Sequence, residues 1–134
     1  MRGDWNKAVI DGDCRTVERL LPENVDIDSR DRYGQTVLML AAQHGRNNVV
    51  RLLLEKGADM DVTAKYGLSA LMLAVINRHT GIARQLVDAG ANTRLRGSGA
   101  PGFADRTARE LAEQGGLVEL AAFIARSGRA EDGR

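Results

Sequence analysis

Residues 31–42 read DRYGQTVLMLAA and residues 64–75 read AKYGLSALMLAV. The pattern returns after 33 positions, each time with a Tyr-Gly pair ahead of a small hydroxyl residue and a Leu-Met-Leu-Ala run. A period of about 20–50 residues takes precedence over reading helices singly, because each copy is then one structural unit and the fold is their array. Shifting the chain by 33 brings Tyr33, Gly34, Thr36, Leu38, Met39, Leu40 and Ala41 onto Tyr66, Gly67, Ser69, Leu71, Met72, Leu73 and Ala74. Val49, Arg51, Leu53, Gly57 and Ala58 then meet Ile82, Arg84, Leu86, Gly90 and Ala91. Backwards, Ala8, Gly12, Val17, Leu20, Leu21, Asp26 and Asp28 meet Ala41, Gly45, Val50, Leu53, Leu54, Asp59 and Asp61, so a degenerate copy precedes the two good ones. Thr107, Leu111, Ala112 and Gly116 meet Thr36, Leu40, Ala41 and Gly45 only at a shift of 71, which places a last copy behind an insertion.

Each copy predicts two short helices and a turn. Thr36 caps the first helix through its hydroxyl, Leu38, Ala41 and Ala42 share one face at helical spacing, and Gly45 suits a left-handed stop. Asn48 caps or opens the second helix, Val49, Val50, Leu52, Leu53 and Leu54 give it a broad apolar face, and Gly57 ends it. Helices shorter than about 12–15 residues are marginal alone in water, so each unit must bury its face against the next. The alanines allow close approach between neighbours.

Composition agrees with a mostly helical chain: 43% hydrophobic and 28% charged residues suit a globular domain, and 4% aromatics with two prolines argue against an aromatic-rich β-barrel. Nineteen Lys and Arg against 18 Asp and Glu leave no basic field to draw the chain onto nucleic acid or an anionic membrane. MRGDWNKAVIDGD lacks a signal-peptide apolar run, and no stretch approaches the roughly 18 apolar residues of a membrane span, so the expectation is a cytoplasmic protein. The single Cys14 cannot form an internal disulfide.

GQTVLMLAAQHG followed by VVRLLLEKGADMD resembles the ankyrin repeat: a glycine turn, Thr-Pro-Leu-His-x-Ala-Ala, a Gly-stopped first helix, a Leu-Leu second helix and Gly-Ala-Asp-Val-Asn. The likeness runs from about residue 5 to 127. Val37 and Ala70 replace the motif's proline, and Met39 and Met72 replace its histidine. The family's histidine ties adjacent turns by hydrogen bonds, whereas a thioether is a weak acceptor, so methionine packing is expected in place of that tether.

The resemblance implies an all-α ankyrin-repeat solenoid of about four stacked helix-turn-helix units with extended β-hairpin-like finger loops. Its expected divisions are an N-terminal capping repeat over 1–30, repeats over 31–63 and 64–94, the finger insertion with a C-terminal capping repeat over 95–127, and a disordered tail over 128–134. It further implies a non-catalytic monomer that grips another protein with its finger tips and the concave face of the first helices, without a cofactor. The matching recognition positions are Arg32, Tyr33, Gln35, Gln43 and His44, then Lys65, Tyr66, Leu68, Ile76 and Asn77, with Lys56 and Thr63 at the margin. Tyr33 and Tyr66 should stand one repeat apart on one edge, either as binding hot spots or as packing over the next finger. Leu68 and Ile76 should add an exposed apolar patch, unless the insertion folds over them.

The insertion LRGSGAPGFAD, residues 95–105, offers the alternative reading, an anion or small-ligand loop served by Arg94, Arg96 and Arg106. Gly97, Gly99 and Gly102 spell GxGxxG, but no apolar strand precedes them. Arg2, Gly3 and Asp4 form an integrin-type tripeptide by chance. His44, His79 and Cys14 lack metal-ligand spacing, and no metal is expected. Asp59 and Asp61 recur as Asp26 and Asp28, which points to turn chemistry rather than a catalytic pair. Ser69 stands in the cap position of Thr36. At the ends, Trp5 aligns with Leu38 and should cover the open face, Pro22 should shorten the second helix, and LVELAAFIARSG should turn Phe123 and Ile124 inward with Glu119 and Arg126 outward.

Overall fold

A computed structural model describes residues 3–21, 26–98 and 104–132, with side chains over 5–21, 26–98 and 104–127. Among the described residues, eight α-helices form four pairs: α1 (Gly3–Asp11) with α2 (Cys14–Leu20), α3 (Val37–Gln43) with α4 (Asn47–Glu55), α5 (Ala70–Ile76) with α6 (Thr80–Asp88), and α7 (Ala108–Gln114) with α8 (Val118–Asp132). The first helices pack in the order α1, α3, α5, α7, and the second helices form another layer in the order α2, α4, α6, α8. This is the all-α solenoid that the repetition predicts.

Local chemistry explains the recurring first helix. Thr36 Oγ1 accepts the Met39 N–H at 3.3 Å, Ser69 Oγ accepts that of Met72 at 3.2 Å, and Thr107 Oγ1 accepts that of Glu110 at 3.2 Å. Each bond satisfies one of the N–H groups that a helix start leaves open. The chain then reverses through a left-handed residue: Gly12, Gly45 and Gly116 have φ of 75°, 74° and 78°, while the third unit uses Arg78 at 65°. The second helix differs from expectation. Arg46 rather than Asn48 occupies the N-cap of α4, and no side chain caps it. Arg46 uses its guanidinium elsewhere, donating to Ile10 O at 2.6 Å. Helix α2 ends at Leu20 as a shortened second helix should, although Pro22 lies outside the described residues.

The core runs continuously between the layers. Trp5, Val17, Leu53, Leu86 and Ala41 are fully buried, and Met39 and Met72 are 1% exposed. Trp5 therefore packs into the first unit, and the methionines pack as expected. The inter-unit tether survives with other residues. Asp28 Oδ1 accepts the Asp59 N–H and Asp61 Oδ1 accepts the Asn92 N–H, both at 2.8 Å, joining each finger to the next. At the helix–helix turns, Arg46 reaches back to Ile10 O, His79 Nε2 lies 3.2 Å from Gln43 O, and Arg78 NH1 donates to Gly115 O at 2.8 Å. Side chain to backbone bonds thus tie neighbouring units, and they satisfy polar groups of the turns that the buried thioethers do not reach.

The fingers are tighter than the β-hairpin-like loops expected. Among the described residues there is no strand, and one isolated parallel bridge joins Gly97 to Ala104 at the base of the insertion. Asp26, Asp59 and Asn92 each accept the N–H two residues on, at 3.0, 2.9 and 2.9 Å, so side chains close these turns where a ladder would otherwise do so. The segment expected as a disordered tail is helical to Asp132, since α8 meets no proline and Ser127 Oγ donates to Phe123 O within it. Residues 133 and 134 lie outside the described residues.

Candidate functional site

The finger tip of the second unit is built by one aspartate. Asp31 Oδ1 accepts the N–H groups of both Tyr33 and Gln35 at 2.9 Å, and Gly34 at φ 78° donates to Asp31 O. This turn pushes Arg32 and Tyr33 outward: Tyr33 is 57% exposed, and the Arg32 guanidinium lies 5.8 Å from its ring centroid. In the third unit Ala64 stands where Asp31 stood, so the same side-chain closure is impossible. The tip becomes a 3-10 turn, Lys65–Gly67, in which Tyr66 takes φ 65° and ψ 19°. A bulky residue in the left-handed region is strained, and such strain concentrates at functional positions. Tyr66 remains 41% exposed with Lys65 Nζ 5.1 Å from its ring centroid.

Backbone bonds lock the tips in series. Lys65 N–H donates to Tyr33 O at 3.4 Å and Ser98 N–H donates to Tyr66 O at 2.6 Å. Both tips therefore carry a cation over a tyrosine ring on one edge, and the tyrosines are not flattened under the following finger.

The expected surface divides in two. Arg32, Tyr33, Lys65 and Tyr66 gather at the tips, with Gln35 half-buried below. Gln43 and His44 at the end of α3, and Ile76 and Asn77 at the end of α5, lie a seven-residue helix away, about 10 Å by helical rise. Gln43, His44 and Ile76 are half-buried, and Asn77 Nδ2 turns back to Leu73 O at 2.8 Å. Leu68 requires a correction: it is 9% exposed and belongs to the core. The following finger lies against its neighbour Gly67, where a Cβ would meet Arg96 O at 3.0 Å. No exposed Leu68–Ile76 patch exists. Lys56 is exposed and Thr63 half-buried.

The insertion's basic residue is engaged internally. Arg96 NH1 donates to Asp105 O at 2.7 Å and stands 3.6 Å from Asp105 Oδ1 and 3.5 Å from Glu110 Oε1. Residues 99–103 lie outside the described residues. Two open grooves of about 380 and 320 Å³ sit at the helix–helix turns, away from the tips; the larger is lined by Thr80, Arg84 and residues 116–120. Among the described residues no group of His, Cys, Asp or Glu could hold a metal, and no helix is long and apolar enough to cross a membrane.

The chain matches the family model for ankyrin repeats (3 copies) over residues 5–96. It belongs to the ankyrin-repeat family. Ankyrin repeats are in general a non-catalytic protein-interaction fold. Among solved structures, the chain is similar to a chain in the complex of the Bd0816 predatory endopeptidase from Bdellovibrio bacteriovorus with immunity protein Bd3460, at a TM-score of 0.84 and 29% identity. That match covers 96% of this ankyrin-repeat chain and 65% of the solved one, so the present chain spans just under two thirds of its length. No curated protein matches it in sequence. What the sequence did not reveal is the left-handed Tyr66 and the aspartate tethers between successive fingers. Ala64 in place of Asp31 was the visible signal for the former.

Proposed function

We propose that this ankyrin-repeat protein is a non-catalytic module that grips a partner protein, with Arg32, Tyr33, Lys65 and Tyr66 as the main contact and Gln35, Gln43, His44, Ile76 and Asn77 extending it along the first helices. The observation that carries this reading is the pair of exposed tyrosines, each beneath its own cation, on fingers bonded to each other. Isolated exposed aromatics need no explanation, but a repeated pair at fixed spacing has the make-up of an interface anchor. The occurrence of the similar solved chain in a two-protein complex supports it. Affinity purification with the wild type and with Tyr33→Ala/Tyr66→Ala tests it. The variant, checked for an unchanged melting curve, should lose the partner that the wild type retains. A folded variant that keeps every partner would end the proposal.

A further inference from the structure

We propose that the finger rim recognises carboxylates: the partner is a protein surface presenting at least two Asp or Glu side chains, one for each cation–tyrosine pair. This inference rests on the protein-binding reading above and adds the partner's chemistry to it. One electron-rich face of each ring is already covered by the chain's own cation at 5.8 and 5.1 Å. To a partner each tip then presents the guanidinium or ammonium head, the positively polarised ring edge and the phenolic O–H. These share one electrostatic sign, and two of them are hydrogen-bond donors, so their complement is an anionic acceptor. Among the described residues neither Arg32 nor Lys65 has an ion pair.

The nearby acidic groups are each engaged with backbone. Asp31 accepts two N–H groups within its own turn, Asp26 and Asp59 each close a turn, and Asp28 and Asp61 each hold the next finger. One oxygen of each is thus bonded to backbone, while Arg30, Arg32 and Lys65 stand exposed with no ion pair among the described residues. The two recognising pairs are one unit apart, about 10 Å by helix spacing, and the Lys65 N–H to Tyr33 O bond holds that separation. The left-handed Tyr66 keeps the second ring at the edge despite the lost aspartate turn.

A protein is favoured over nucleic acid. Bases stack on open aromatic faces, and here a cation already covers one face of each ring. The formal net charge is only +1, and two cations do not make the continuous basic stripe that tracks a phosphate backbone.

A random dodecapeptide display library, selected on the full chain at low salt, tests the proposal. Selected peptides should contain about threefold more Asp and Glu than the input. Their affinity should fall about tenfold in Arg32→Gln/Lys65→Gln and fall again as salt rises. Peptides that need Tyr33 and Tyr66 but are not acidic, or that tolerate loss of both cations, overturn carboxylate recognition and leave the protein-binding rim standing. Peptides indifferent to Tyr33→Ala/Tyr66→Ala, or no selection at all, overturn both. Tighter binding of a twelve-nucleotide single strand, lost in the same variants, would assign the rim to nucleic acid and end the proposal.

Discussion

Arg78 stands where the other three units place glycine, and it shows how a single residue is held against its own preference. Its φ of 65° costs about 1–2 kcal/mol relative to glycine, because Cβ crowds the carbonyl. In return its guanidinium donates to Gly115 O in the next unit at 2.8 Å, a charge-assisted bond worth about 1 kcal/mol at an exposed site. These effects are of similar size, so the two obvious substitutions should behave differently. Arg78→Gly relieves the strain while losing the bond and should change stability by less than about 1 kcal/mol. Arg78→Ala keeps the strain and loses the bond, and should destabilise by about 0.5–1.5 kcal/mol. Urea denaturation of both variants checks this; an alanine variant as stable as the glycine one would show that the left-handed strain does not operate, since both variants lose the bond.

The same reasoning extends to whole elements. Helix α7 opens with a reciprocal cap, in which Glu110 N–H donates to Thr107 Oγ1 and Thr107 N–H donates to Glu110 Oε1 at 3.0 Å. The Thr107 backbone N–H lowers the Glu110 carboxyl pKa below its ordinary value, against an opposing desolvation and with lesser help from the Thr107 hydroxyl, Arg96 and Arg106. A carboxyl depressed in the folded state contributes stability that is complete above its ordinary pKa near 4.5 and is lost as pH falls through the lower folded value. Being largely solvated, the interaction should amount to no more than about 1 kcal/mol. Thermal melts of Glu110→Ala should therefore lie below wild type at pH 7, and the gap should narrow at pH 3. A gap independent of pH would mean that the ionised carboxylate contributes nothing. In the second layer, Leu53→Ala on α4 removes a fully buried side chain and should cost about 2–5 kcal/mol, read from denaturation midpoints. The first helices and their hydroxyl caps were legible because Thr36, Ser69 and Thr107 act within three residues of themselves. The start of α4 was not, since Arg46 is a poor cap by type and its side chain is drawn to Ile10 O, 36 residues away. Leu68 was expected in an exposed patch unless the insertion folded over it; it is buried, and the next finger lies against its neighbour Gly67, a contact that periodicity along one unit does not report.

At the scale of the molecule, no helix before α8 exceeds nine residues among the described residues, so none is long enough to stand alone in water and each borrows stability from its neighbours. The borrowing runs through the shared core and through the tethers from Asp28, Asp61, Arg46 and Arg78, which join neighbouring units from both ends. That coupling makes a prediction about distance. Trp5 is the chain's one tryptophan and is fully buried in α1, so its fluorescence reports the first unit. Leu86 is fully buried in α6, two units away, and Leu86→Ala should cost about 2–5 kcal/mol there. If the array unfolds as one, the Trp5 fluorescence midpoint must fall with the midpoint from helical circular dichroism, by the same number of degrees, although no atom near Trp5 has changed. If coupling fails, the Trp5 transition stays at the wild-type temperature while the dichroism transition broadens. Adding Asp61→Ala, which cuts the tether between the fingers at 61 and 92, should lower the overall midpoint by several degrees and begin to separate the two probes. Coincident transitions in Leu86→Ala and incipient separation in the double variant would place cooperativity in the contacts between units. Those same contacts hold Tyr33 and Tyr66 at a fixed spacing, so a variant that uncouples the units should also blur the rim.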